Sequence, residues 1–289
     1  MHELLLQTFL NATYAASYIA LVAVGLVLIF GVMGVINFAH GELYMLGAYG
    51  VVAVYVGAQQ SFLLAVAAGL VFVGLVGLLM ERALFRPLRD NPLSGLVASI
   101  GLLLILQALA AIFFGVRMEH IPPVTQEVLR FSNGISLPLQ RLFVIVAAVV
   151  LLAGLWMFLK HTRFGWALRA SAEDREAAQL QGISVTRIAQ LAMVIGAGLA
   201  GVAGALTAPL VRVYPYMGHS VIVTVFIVII VGGVGSLEGA VIAAIAYAFV
   251  HTFVTTFFDG VIADIVGLLL MLMVLVVRPT GLFGARDRA

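Results

Sequence analysis

Apolar stretches long enough to enter or cross a bilayer follow one another from Tyr14 to Val277, with short polar connectors between them. A hydrocarbon layer about 30 Å thick takes roughly 20 residues of helix per crossing. The stretches occupy 14–36, 43–56, 62–80, 93–114, 142–159, 188–210, 221–234, 240–257 and 261–277. The simplest count is therefore eight to nine crossings, with 43–56 and 221–234 short enough to be interrupted or re-entrant. A backbone in lipid must satisfy its own hydrogen bonds, and these stretches lack the alternation of barrel strands, so the fold class expected is all-α, a polytopic transmembrane helical bundle.

Composition agrees, since 63% of the 289 residues are hydrophobic and 10% are charged. The basic residues sit in short loops with no interleaved aromatic patch, so they report topology and exclude nucleic acid as a partner. Arg82, Arg86 and Arg89 lie in one loop, Lys160, His161, Arg163, Arg169, Arg175 and Arg187 in another, and Arg278, Arg286 and Arg288 in the tail. Intervening crossings put all three on one side, cytoplasmic by the positive-inside rule, with the C-terminus there too. The loop 115–141 then faces outward, with Pro122-Pro123, Asn133-Gly134 and Pro138 as breakers. Met1-His2-Glu3 lacks the basic cluster of a cleavable signal, so the run 12–36 is expected to stay as a span. One transmembrane domain over 1–289 is expected.

No cysteine and no HxxxH pair occur, which removes thiolate and histidine-pair metal sites and cysteine nucleophiles. Glycines recur at helical spacing at Gly25, Gly31 and Gly34 and at Gly196, Gly198, Gly201 and Gly204, the pattern of closely packed membrane helices.

Polar residues break the apolar pattern twice. Asn37-Phe38-Ala39-His40-Gly41-Glu42 separates the first two stretches, and a histidine and carboxylate there belong in a bundle interior, a watery cavity or the membrane surface. Gly232-Gly233-Val234-Gly235-Ser236-Leu237-Glu238-Gly239 separates two later ones, and Ala246-Tyr247 after it echoes Ala48-Tyr49. Paired glycine-interrupted segments point to a pathway built from broken helices. The candidates are Asn37, His40, Gly41, Glu42, Gly232, Gly233, Gly235, Ser236 and Glu238. The glycines are no phosphate loop, since no GxxxxGK[ST] occurs.

The loop after Lys160 carries Ala170-Ser171-Ala172-Glu173-Asp174-Arg175-Glu176-Ala177-Ala178-Gln179-Leu180-Gln181-Gly182-Ile183. Ser171 can cap a helix here, Glu173 and Asp174 suit its first turn, and Gly182 can supply a left-handed stop. About three turns are marginal alone in water, so Ala177, Leu180 and Ile183 need a surface: a partner's groove, the chain's own spans or lipid headgroups.

Taken together, Asn37 to Glu42, Glu173-Asp174-Arg175-Glu176-Ala177-Ala178 with Gly182, Gly232 to Ser236 with Gly239-Ala240, and Arg278-Pro279-Thr280-Gly281-Leu282-Phe283-Gly284 resemble the permease subunits of branched-chain amino acid ABC importers. The resemblance covers nearly the whole chain. Glu176-Ala177-Ala178 and Gly182 are similar to the family's ATPase-docking motif, although the Ile-x-Leu-Pro that continues the wider motif has no counterpart proline here. It implies a second, homologous permease, two ABC ATPases that use the ATP, a periplasmic binding protein, a bacterial inner-membrane location, and no cofactor or covalent chemistry in this chain. Leucine, isoleucine and valine are the implied cargo, with urea, short amides or other amino acids as alternatives. A proton-coupled carrier using His40 and Glu42 is the competing class. An intramembrane enzyme finds no carboxylate pair, Ser/His dyad or metal spacing.

Overall fold

The computed structural model describes residues 1–89, 91–130 and 136–284. Asn133-Gly134, Arg286 and Arg288, used above as turn and topology signals, fall outside these residues.

Nine helices correspond to the nine apolar stretches. They are α1 (His2–Met33), α2 (His40–Val51), α3 (Phe62–Met80), α4 (Pro92–Phe114), α5 (Leu139–His161), α8 (Val185–Thr207), α9 (Met217–Gly232), α10 (Leu237–Phe257) and α11 (Gly260–Val277). Between α5 and α8 lie α6 (Arg163–Glu173) and α7 (Arg175–Leu180). Among the described residues seven helical stretches are long and apolar enough to cross a membrane, and α9 is a shorter apolar helix. α2 reaches similar length only through a π-helical continuation at Val52–Gly57, and α3 likewise runs on through Glu81–Phe85. The all-α expectation holds except in the loop 115–141, where β1 (Val128–Arg130) pairs antiparallel with β2 (Ser136–Pro138).

α1 begins at His2, about ten residues ahead of the expected apolar edge, because helical hydrogen bonding continues through Leu4 to Leu10 once the backbone has entered the helix. At 1.5 Å per residue its 32 residues span about 48 Å, more than the hydrocarbon needs.

α1 and α8 form the centre. In their most apolar windows 78% and 83% of residues are buried, against 22%, 17% and 11% for α4, α5 and α11. Apolar content is no lower in the outer helices, so position is set by side-chain size. α8 carries glycines and alanines where neighbours cross: a Cβ on Gly25 would lie 2.6 Å from the Gly196 carbonyl oxygen, and one on Gly201 would lie 2.7 Å from the Val73 side chain. Backbones this close gain dispersion contacts, which drive association where lipid removes the hydrophobic term. The packing expectation for these glycines is met. Gly34 serves differently, closing α1 in the left-handed conformation at φ 66°.

Candidate functional site

From Gly34 the chain turns back into the bundle. His40 opens α2, and its Nε2 donates to the Val22 carbonyl at 3.1 Å. Val22 lies eleven residues before the end of α1, or about 16 Å along its axis. The polar interruption therefore sits at mid-bundle depth. Asn37, His40 and Glu42 are each 0% exposed and so face the bundle interior.

Several elements hold this group. Asn37 Oδ1 accepts from the Ala39 amide at 3.0 Å, and Ser99 Oγ on α4 accepts from the Phe38 amide at 3.1 Å. These bonds satisfy the Phe38 and Ala39 amides on the approach to α2, of which Ala39 is the N-cap. Glu42 Oε1 accepts from Gln107 Nε2 on α4 at 2.9 Å. Gly41 meets the first turn of α9, and a Cβ on Gly218 would lie 2.8 Å from the Glu42 carboxyl carbon. Neither Ser99, Gln107 nor Gly218 stood out in the sequence. Gln107 was legible in retrospect as a polar side chain within an apolar helix.

Three polar atoms in this group have no hydrogen-bond partner: Asn37 Nδ2, His40 Nδ1 and Glu42 Oε2. Unmade hydrogen bonds of this kind are expensive in an apolar interior, and these three fall within six residues of the chain.

The second interruption is built otherwise. Gly232 and Gly239 approach each other so closely that a Cβ on either would overlap the other's backbone. Gly233 has φ 103° and Gly235 φ 91°, conformations that favour glycine. Ser236 Oγ accepts from the Gly239 amide at 3.0 Å and caps α10, while Glu238 lies exposed in its first turn. The tail then folds over the turn: the Leu282 amide donates to Val231 O at 2.9 Å and Phe283 to Gly232 O at 3.0 Å. The structure does not bring this segment to the first. Gly218 meets Gly41 at one end of α9 and Gly232 closes the other end, about 21 Å along the helix. The two interruptions thus differ in build: one is a buried polar group, the other a glycine turn tied to the tail.

The loop helix also differs from expectation. Ser171 lies buried inside α6 and caps nothing. The helix breaks at Asp174, whose Oδ1 accepts from the Ala177 amide at 2.9 Å and caps α7. Asp174, in extended conformation, takes the N-cap that Ser171 could equally have supplied, and this displaces the boundary by three residues. Gly182 does adopt the left-handed stop, at φ 80°. Ala178 is buried and Ile183 half-buried, whereas Ala177, Glu173 and Glu176 are exposed and Leu180 is 87% exposed. Arg175 lies half-buried in the first turn of α7.

A second buried carboxylate offers a comparison. Glu81, in the π-helical end of α3, is 0% exposed and pairs with Arg89 at 2.9 Å, and Arg89 also donates to Thr186 at the start of α8. Among the described residues no group of three histidine, cysteine or acidic side chains could hold a metal ion.

The model of the family described as "Branched-chain amino acid transport system / permease component" matches residues 8–277. The high-affinity branched-chain amino acid transport system permease protein LivH of Escherichia coli is 34% identical, covering 96% of this chain and 95% of that protein. The corresponding BraD protein of Pseudomonas aeruginosa is 32% identical over 96% of this chain and 95% of its own. Among solved structures, PsaBC from Streptococcus pneumoniae, in complex with Fab, superposes with a TM-score of 0.52 at 14% identity, covering 94% of this chain and 92% of that one, a likeness of fold.

Proposed function

The chain belongs to the permease family of branched-chain amino acid transport systems, and on that premise we propose that it forms half of the membrane pathway of an ATP-driven importer. It is a multi-pass membrane protein and a transport subunit of the ABC class. In this reading the whole chain works as one permease domain in a bacterial inner membrane. It passes leucine, isoleucine, valine or a related small neutral solute inward, with its C-terminus cytoplasmic. A homologous permease completes the pathway, two ATPases use the ATP, and a periplasmic binding protein delivers the cargo.

The observation that carries this reading is α7. It is six residues long, marginal by itself, yet capped by Asp174 and stopped by Gly182, with Leu180 turned outward. Ala178 seats the helix on the chain's own body, so Ala177 and Leu180 are left for a partner's groove. ATP-driven closure of the partner would move α7, and α8 begins at Val185, five residues after α7 ends. The two states must differ in interaction free energy for ATP to switch them. Buried polar residues at the start of α2 supply interactions that can differ.

Reconstitution in proteoliposomes with the second permease, the ATPases and the binding protein tests the reading. Leucine uptake should require ATP and survive collapse of the proton gradient. Uptake that persists without ATP and stops with the gradient would replace it by a proton-coupled carrier.

A further inference from the structure

Among the described residues two carboxylates are buried in the bundle: Glu81 has its counter-ion in Arg89, and Glu42 has none. Glu42 receives one neutral hydrogen bond, from Gln107, and Oε2 has no partner. His40, two residues earlier on the helix, is turned to the α1 carbonyl of Val22. A buried charge without a partner costs several kcal/mol, so a cation completes this site from outside the chain or a proton neutralises it.

The next turn of the same helices, together with Gly69, Phe72 and Val76 of α3, lines a cavity of about 510 Å³. Leu46 follows Glu42 by one turn on α2, and Leu106 precedes Gln107 on α4. Beyond them the cavity runs past Gly50, Ala110 and Phe114 to the outer end of α4. Its lining is apolar throughout. α4 packs chiefly on α2 and on the π-helical end of α3, and the polar ties from Ser99 and Gln107 join it to the start of α2. Glu42 itself does not line the cavity, and Gln107, next to the lining residue Leu106, holds its carboxylate.

An apolar space ending one turn from an unpaired carboxylate suits an amphiphile with an aliphatic body and a cationic head. Resting on the import reading above, we propose that the gap between α2 and α4 is a transit site for the amino acid. The aliphatic side chain occupies the cavity, the ammonium group takes Glu42 Oε2 when Gln107 releases the carboxylate, and the freed Gln107 amide donates to the amino acid's own carboxylate. Glu42 thereby selects for a free amino group within the membrane, a filter separate from the binding protein.

Glu42→Gln is the discriminating variant, because glutamine keeps the shape and the tie to Gln107 and removes only the charge. In the reconstituted importer, radiolabelled leucine imported per ATP hydrolysed should fall about tenfold or more, as loss of a charged hydrogen bond implies. Glu42→Asp should recover part of it. A normal ratio in E42Q would mean that Glu42 works as a neutral, protonated hydrogen-bonding group and would overturn the proposal. Wild-type leucine uptake in the same preparation separates an error about Glu42 from an error about the cargo.

If E42Q does not assemble, the absence of cysteine allows a second route. In Ala110→Cys, modification by a small maleimide should slow about threefold or more when leucine, binding protein and ATP are supplied together, since site occupancy protects in proportion to its population. Labelling that leucine turnover leaves unchanged, but that falls when phospholipid is added back to delipidated protein, would assign the cavity to an acyl chain and overturn the proposal.

Discussion

Substituting alanine at Gly233 tests whether the tail is a structural clasp on α9. The last carbonyls of a helix lack partners within it, and those of Val231 and Gly232 are met by the amides of Leu282 and Phe283. A Cβ on Gly233 would lie 2.8 Å from the Gly284 Cα and 3.0 Å from the Phe283 carbonyl carbon, so backbone must move. At φ 103° a side chain adds about 1–2 kcal/mol of strain. Losing two hydrogen bonds adds about 1 kcal/mol each. The sum is about 3–4 kcal/mol, and at about 1.4 kcal/mol per factor of ten it raises local opening about a hundredfold or more.

Hydrogen exchange followed by mass spectrometry on the purified protein reads this directly, because the Leu282 and Phe283 amides exchange only when the clasp opens. Gly235→Ala is the control. Its φ is 91° but nothing lies within 4 Å, so only strain is added and exchange should rise about tenfold. Equal exchange rates for wild type and Gly233→Ala would refute the clasp.

Gly25→Val should lower the yield of folded protein in detergent, measured by size-exclusion chromatography, because the added atoms meet the Gly196 backbone where α1 crosses α8. Arg89→Ala strands the buried Glu81 carboxylate and should destabilise by about 3–5 kcal/mol in a denaturation assay, while Glu81→Gln with Arg89→Ala recovers much of this. Leu180→Glu should leave membrane insertion intact and reduce co-purification of the ATPase about tenfold or more, as a charge in an apolar groove requires. Asp174→Ala should cost α7 about 1 kcal/mol, seen as faster exchange of the Ala177 amide.

What could be read in advance and what could not divide by physical cause. A crossing helix is a local property: about 20 apolar residues whose backbone has no other way to bond in lipid, so nine helices could be counted from 14–36 onward. Gly182 was legible because glycine readily takes the left-handed conformation that ends a helix, and the helical run from Glu173 to Ile183 because its residues are contiguous. Asp174 was misplaced because two cap-competent residues stood three apart, and capping energies of about 1 kcal/mol leave the choice to packing.

The sequence alone determined that this chain is a helical membrane bundle and that its polar residues are few enough to matter individually. Only tertiary structure decided which of them meet. Glu42 reaches Gln107 across sixty-five positions, while Gly232, in an interruption of similar appearance, turns to the tail. Composition cannot predict that division, because burial in lipid makes every helix apolar and leaves close approach between small residues to choose neighbours. The chain's return at Gly34 carries Asn37, His40 and Glu42 inward, and Arg89 neutralises Glu81 but does not reach Glu42. The unpaired carboxylate is therefore a property of the fold.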